Sequence, residues 1–425
     1  MVKSHGQPGM AHRPLPRCCF CWSPGLEDNL GHAKMESVAR KPVRCCLLAA
    51  ILTAGCGSSF GYSVLTHEAI VDSAWNDLLK PALVSRFPAI TAQQLLEAHS
   101  YAYGGAIIQD MGYYPFGSKP FSDLVHYIRS GDFILALLNE AKEPNELAFA
   151  LGALAHYAAD NSGHPEAINH AVPMTYPKLK RKFGDPITYE DDPTAHLKVE
   201  FGFDVLEVAK GRYAPDAYHD FIGFHVAKPL LERAFEDVYA IPLKDLFKDL
   251  DLALGTYRFS ITSLIPEMTK AAWDAKKNDI GKSLPGVTRR QFVYNISRSS
   301  YDKEWGRNYE RPGLGARILA LIFRFLPKVG PLRALGFRVP SPQAETLFMA
   351  SFNRTLVTYR DFGRQWQVGA QLRLPDRNLD TGLPSTGGKY RLADKAYSTL
   401  LERLADQKKP VPPELRRSIL TYFQV

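Results

Sequence analysis

Residues 146–165, ELAFALGALAHYAADNSGHP, place His156, Asp160 and His164 at successive four-residue steps inside a run of helical apolar periodicity. Four-residue spacing stacks side chains on one face of a helix, each step drifting only slightly around the axis. Histidine nitrogens and a carboxylate aligned in this way can hold one cation between them. A lone His-x-x-x-Asp pair is more simply a polar stripe on a buried helix. The third residue in register weakens that simpler reading and directs attention to possible partners elsewhere in the chain.

The surroundings are helical too. HEAIVDSAWNDLL, FILALLNEA, HLKVEFGFDVLEVAKG and FHVAKPLLERAFEDVYA all repeat apolar residues at three- and four-residue intervals, and no clear run of alternating strands appears. The pattern predicts an all-α, multi-helix bundle. Two stretches read as long irregular loops, QDMGYYPFGSKPFSD and AVPMTYPKLKRKFGDPITYEDDPTA; loops of that length in a compact domain are usually functional or disordered. The expected organisation is an upstream segment over 1–61, a helical domain over 62–285 and a helical C-terminal extension over 286–425. Within the extension, Ala316–Pro327 reads as a core or docking helix or as a membrane-surface element, and RLPDRNLDTGLPSTGGKY as a polar loop.

All six cysteines (18, 19, 21, 45, 46 and 56) lie in the first 56 residues. The body therefore has neither disulfides nor thiolate ligands, and any zinc site must be built from histidine, carboxylate and backbone. The leading segment reads as a targeting sequence. Arg40, Lys41 and Arg44 precede the apolar run CCLLAAILTAGC, and Ser59-Phe60-Gly61 forms a small-x-small cleavage site that would leave Tyr62 as the new N-terminus. Met35 competes with Met1 as the start. The expectation is export, secreted or periplasmic, with lipid anchoring at Cys56 as the weaker alternative. Removing 1–61 lowers the formal net charge from +8 to +4, because that segment carries seven Lys/Arg against three Asp/Glu. So mild a basic balance makes no case for nucleic acid.

The partners for the opening helix form an ordered series: Tyr62 as a free terminus, His67 in YSVLTHEA, Asp110 in IIQDMG, His126 in DLVHYI, then His156, Asp160 and His164, and finally His196 and Glu200, a further i, i+4 pair in TAHLKVEFGFD. Helices held only by buried His–carboxylate contacts would have to account for all nine positions. His170 could replace His164, but Pro165 and the altered spacing make it a surface or supporting histidine. His99, His219 and His225 read as solvated helix residues. Tyr113, Tyr114 and Phe116 either line a lipid or base pocket or pack locally.

This ordered set resembles the zinc-dependent phospholipase C family, related in fold to the single-strand-specific zinc nucleases; GALAHYAADNSGHP is also similar to the catalytic part of glycosylphosphatidylinositol-specific phospholipase D. The resemblance covers roughly residues 62–270 and implies an all-α domain with three zinc ions in a cleft. It assigns one zinc to Asp110, His126, His156 and Asp160, and a second to His164, His196 and Glu200. The third falls to the amine and carbonyl of Tyr62 with His67 and Asp160, so that Asp160 bridges two metals. The departures are Tyr where the family usually has Trp at the terminus, a phospholipase D-like interval from His156 to His164, and a long loop before His196.

The resemblance further implies a hydrolase acting on a phospholipid or membrane surface, with Asp110 the candidate for orienting or deprotonating the attacking water. The alternatives are a zinc nuclease acting on single-stranded nucleic acid, phospholipase D-type cleavage, and a non-catalytic surface protein using the zinc domain as a scaffold. Glu200 as the last ligand, where such nucleases tend to use Asp, and the absence of disulfides lean towards the lipase.

Overall fold

The central element of the computed structural model is a helix over Pro144–Gly163, buried almost without interruption from Leu147 to Gly163. The structure describes residues 62–213, 223–295, 334–407 and 410–424, which fall within one compact unit, Ala50–Val425. Among the described residues there are helices and turns and no strands, in agreement with the all-α expectation. The segment 1–61, His219 and Ala316–Pro327 lie outside the described residues.

Seven helices position the site: α1 (Val64–Ala74), α2 (Ala92–Ala106), α3 (Lys119–Tyr127), α4 (Pro144–Gly163), α5 (Pro193–Ala209), α6 (Pro342–Gln367) and α7 (Arg391–Gln407). α4 starts on a proline, whose missing N–H costs nothing in the first turn, and continues through strong helix formers, Leu and Ala above all. It runs against α2 at very short range. A Cβ added at Gly105 would lie 2.0 Å from the Phe149 carbonyl oxygen, and one at Gly152 would lie 2.0 Å from that of Ala102. Only two glycines facing each other's backbone allow this approach. It brings the Ala106 carbonyl to within 3.0 Å of His156 Nδ1.

α4 runs on into a π-helical turn over His164–Ile168. Pro165 has no N–H to offer Asn161 and its ring crowds that carbonyl, so the turn widens there. His164 nevertheless keeps its place one turn beyond Asp160.

The two stretches expected to be irregular are partly helical. The first contains a 3₁₀ turn over Ile108–Tyr113 that carries Asp110, and its end opens α3. The second contains short helices over Asn169–Thr175 and Pro177–Phe183. Pro177 stands in the first turn of its helix and Lys180, Arg181 and Lys182 in the last, where each suits the helix end it occupies. The prolines there punctuate helices rather than exclude them. In the opposite sense, FHVA (224–227) is not helical, and its helix begins at Lys228.

The C-terminal residues pack onto the same core. In α6, Tyr359 donates to the Leu151 carbonyl at 3.0 Å, Ser351 meets the Tyr62 hydroxyl, and the Phe348 ring stacks on Phe203 at 4.2 Å. Between α6 and α7 the chain crosses the end of α3 as an extended strap. Ser130 Oγ donates to the Arg377 carbonyl at 2.7 Å, Leu379 N–H donates to the His126 carbonyl at 3.0 Å, and Asp376 accepts the Gly131 and Asp132 N–H groups at 3.0 Å each.

Candidate metal centre

Eight of the expected ligands converge in the core around Asp160, brought there by α1 (His67), the 3₁₀ turn (Asp110), α3 (His126), α4 (His156, Asp160 and, at its end, His164) and α5 (His196, Glu200). One Asp160 oxygen lies 3.6 Å from His67 Nε2. The other lies 3.1 Å from His156 Nε2, 3.6 Å from His126 Nε2 and 3.7 Å from His164 Nε2. His126 Nε2 is 3.4 Å from Asp110 and 3.2 Å from His156 Nε2, and the His67 and His156 rings stack at 4.3 Å.

These contacts are not a hydrogen-bond network. Neither oxygen of Asp110 or Asp160 has a hydrogen-bond partner, nor does either ring nitrogen of His67, and all are buried. A buried polar atom without a partner costs about 1–3 kcal/mol, more when charged, so such a collection is untenable unless something else satisfies it. Ligand atoms at about 2.0–2.1 Å around a tetrahedral zinc sit roughly 3.3–3.4 Å apart, which is the middle of the observed spacings. The donor set, imidazole nitrogen with carboxylate oxygen, is that of zinc.

The ligand atoms fall into three groups: His67, His156 and Asp160; Asp110, His126 and His156; and His164, His196 and Asp380. The first two reproduce most of two expected sets. The third differs. Glu200 accepts from His196 Nδ1 at 2.7 Å, and the carboxylate facing both histidines is that of Asp380, whose Oδ1 is 3.3 Å from His164 Nδ1 and 3.9 Å from His196 Nε2. His196 Nε2 also lies 2.7 Å from Asn169 Oδ1. The sequence reading left Asp380 inside a polar loop, because a ligand on an irregular strap carries no periodicity.

The hydrogen bonds behind the site fix the ring orientations. His126 Nδ1 faces the Ser122 carbonyl at 2.8 Å and His156 Nδ1 the Ala106 carbonyl at 3.0 Å. With Nδ1 facing a backbone carbonyl in each ring, Nε2 is turned into the site, where it can bind a metal once its proton is displaced. Burial lowers the pKa of His67 well below its ordinary value, and takes His196 down to about 3. Both rings are therefore held neutral, the form that binds metal. Burial works against charge at His126 and His164 as well, yet Asp110 and Asp160 lift His126 to about 9, while Asp160 and Asp380 hold His164 well above its usual value. The carboxylates thus set up a field that favours cations.

Tyr62 is fully buried, its ring 6.2 Å from His67 and seated over Gly163, where a Cβ would come within 2.4 Å of the ring. His170 pairs with Asp185 at 2.7 Å near the surface, away from the ligand groups, as the sequence indicated. His99 is a correction. It is buried, sandwiched between Trp75 at 3.8 Å and Tyr103 at 4.5 Å, with Asp72 3.3 Å away. His225 also departs from the expectation; it lies ahead of its helix with its ring stacked on Tyr101 at 5.2 Å. Tyr113 and Tyr114 are buried and pack locally, Tyr114 edge-on to Tyr257 at 5.3 Å, whereas Phe116 is 46% exposed.

Among the described residues the domain is all-helical, and its buried histidines and aspartates form groups that could hold metal ions. Residues 66–249 match the family model described as zinc dependent phospholipase C. The match takes in every expected ligand from His67 to Glu200 and leaves Tyr62 and Asp380 outside it. No curated protein and no solved structure matches the chain.

Proposed function

We propose that the protein is a phospholipase C that hydrolyses the glycerol–phosphate bond of membrane phospholipids, releasing diacylglycerol and a phosphorylated head group. The observation that supports this reading is the sharing of Asp160 among four histidines from three helices, which suits closely spaced ions clamping one phosphodiester. When bound, zinc lowers the pKa of water towards about 7 and neutralises phosphate charge. In this reading Asp110, both of whose oxygens are buried and without a hydrogen-bond partner, orients that water and receives its proton. The attacking oxygen bonds to phosphorus, the bond from phosphorus to the glycerol oxygen breaks, and that oxygen leaves with a proton.

If the chain is exported and cleaved after Gly61, Tyr62 gains a free amine, which can give up its proton to bind zinc near neutral pH, as an amide cannot.

The test offers purified mature protein phosphatidylcholine, a glycosylphosphatidylinositol lipid and single-stranded DNA, with zinc measured alongside. Phosphocholine and diacylglycerol are the expected products. Phosphatidic acid would overturn the bond assignment, and DNA cleavage without lipid turnover would replace the reading with the nuclease.

A further inference from the structure

The strap between α6 and α7 lies outside the stretch that carries the family match, yet it ends inside the metal centre. Asp380 is 2% exposed and its two oxygens have different surroundings. Oδ2 accepts the Tyr189 N–H at 2.9 Å and the Tyr390 hydroxyl at 2.7 Å. Oδ1 has no hydrogen-bond partner and lies against His164 Nδ1 and His196 Nε2. The Asp380 carbonyl is also held, by Asn169 Nδ2 at 2.8 Å, and its N–H donates to Asn378 Oδ1 at 2.9 Å. Every polar group of this residue is therefore committed except the one oxygen directed at two histidines. Gly382 closes the turn at φ +68, a left-handed conformation that favours glycine, and a Cβ there would crowd the Pro165 ring at 3.1 Å.

We propose that Asp380 is a zinc ligand together with His164 and His196, so that the C-terminal segment completes the metal centre and the ion fastens strap to domain. This rests on the zinc reading of the site but not on its substrate. Two bonds fix Oδ2 and point Oδ1 inward, the arrangement by which a carboxylate ligand is held for a metal. The fastening follows from the sequence distance. His164 and His196 lie in the family domain, Asp380 almost two hundred residues further on, and an ion between them closes that long loop.

The experiment compares the zinc-loaded mature protein with Asp380→Asn and Tyr390→Phe, by elemental analysis and by limited trypsin digestion before and after chelation. Asp380→Asn retains an oxygen for Tyr189 and Tyr390 but offers an amide to the histidines. Asp380→Asn is expected to hold about one zinc fewer than the parent, with an unchanged helical circular dichroism spectrum. Tyr390→Phe leaves the carboxylate in place but removes one of its two supporting bonds, so it is expected to keep the parent's zinc stoichiometry when saturated while binding that ion about 10–100-fold more weakly. In the parent, chelation should open the exposed Arg373, Arg377 and Lys389 to trypsin; in Asp380→Asn they should be open already. Parental zinc content in folded Asp380→Asn, or strap cleavage that ignores chelation, overturns the proposal while leaving the zinc reading intact. A parent protein that binds no zinc fails that reading instead.

Discussion

Gly152→Ala sets two opposing effects against each other, and the structure decides between them. Exchanging a helix-interior glycine for alanine favours folding by about 1 kcal/mol, since alanine has less backbone freedom to lose. At 152, however, the new Cβ would stand 2.0 Å from the Ala102 carbonyl oxygen and 2.9 Å from the Ala106 nitrogen. An ordinary carbon–oxygen contact is about 3.3–3.6 Å, so α2 and α4 must separate by roughly 1.3 Å. The obstacle is backbone, which cannot rotate aside. Overpacking of this kind costs about 1–3 kcal/mol and occasionally more. We expect net destabilisation of about 1–2 kcal/mol, a fall in Tm of about 2–8 °C at 2–4 °C per kcal/mol. The separation also carries His156 away from His126, 3.2 Å distant on another helix, whereas zinc–ligand distances tolerate only about 0.2 Å. Zinc affinity should therefore fall as well.

Thermal melts of chelated and zinc-loaded protein separate the two consequences, because the chelated pair reports packing alone. Gly255→Ala is the control. It too lies within a helix, and a Cβ there meets nothing within 4 Å, so its Tm should hold or rise by the propensity term. If chelated Gly152→Ala melts at or above the parent, or if the two variants shift together, the close approach of α2 and α4 is refuted.

Asp160→Asn should be the most damaging single substitution, losing roughly two zinc ions per chain and falling to background activity, because this one carboxylate faces four histidines; normal zinc content would exclude its bridging role. Glu200→Gln should keep the zinc stoichiometry while lowering affinity about 10–100-fold, since Glu200 orients His196 through Nδ1, and loss of a whole ion on chelator competition would make Glu200 a ligand. Zinc itself should stabilise the fold by about 2.7 kcal/mol at a hundredfold excess over Kd and so raise Tm in a concentration-dependent way, and a Tm indifferent to zinc would contradict a buried centre. Extra residues ahead of Tyr62 should remove one zinc and most activity; full activity in such a protein, checked by N-terminal sequencing, would show that the terminus is not a ligand.

The helical architecture was legible before any coordinates, and seven of the nine expected ligands lie in the three groups that could hold a metal ion. His156, Asp160 and His164 advertise themselves by a four-residue rhythm, and His196 and Glu200 by the same rhythm once, because a helix converts sequence spacing directly into a shared face. His67, Asp110 and His126 had no such rhythm and were found only through their order along the chain. What tertiary structure alone decided depends on approaches that no spacing encodes. Whether His99 faces water or lies between Trp75 and Tyr103 is set by which helix packs above it. Whether Glu200 or Asp380 confronts His164 and His196 is set by a strap arriving from far along the chain. DRNLDTG reads as a turn because Asn, Asp and Gly form turns locally. That its second aspartate sits in the core beside two histidines comes from hydrogen bonds to Tyr189, Asn169 and Tyr390, each made only once the chain has folded back on itself.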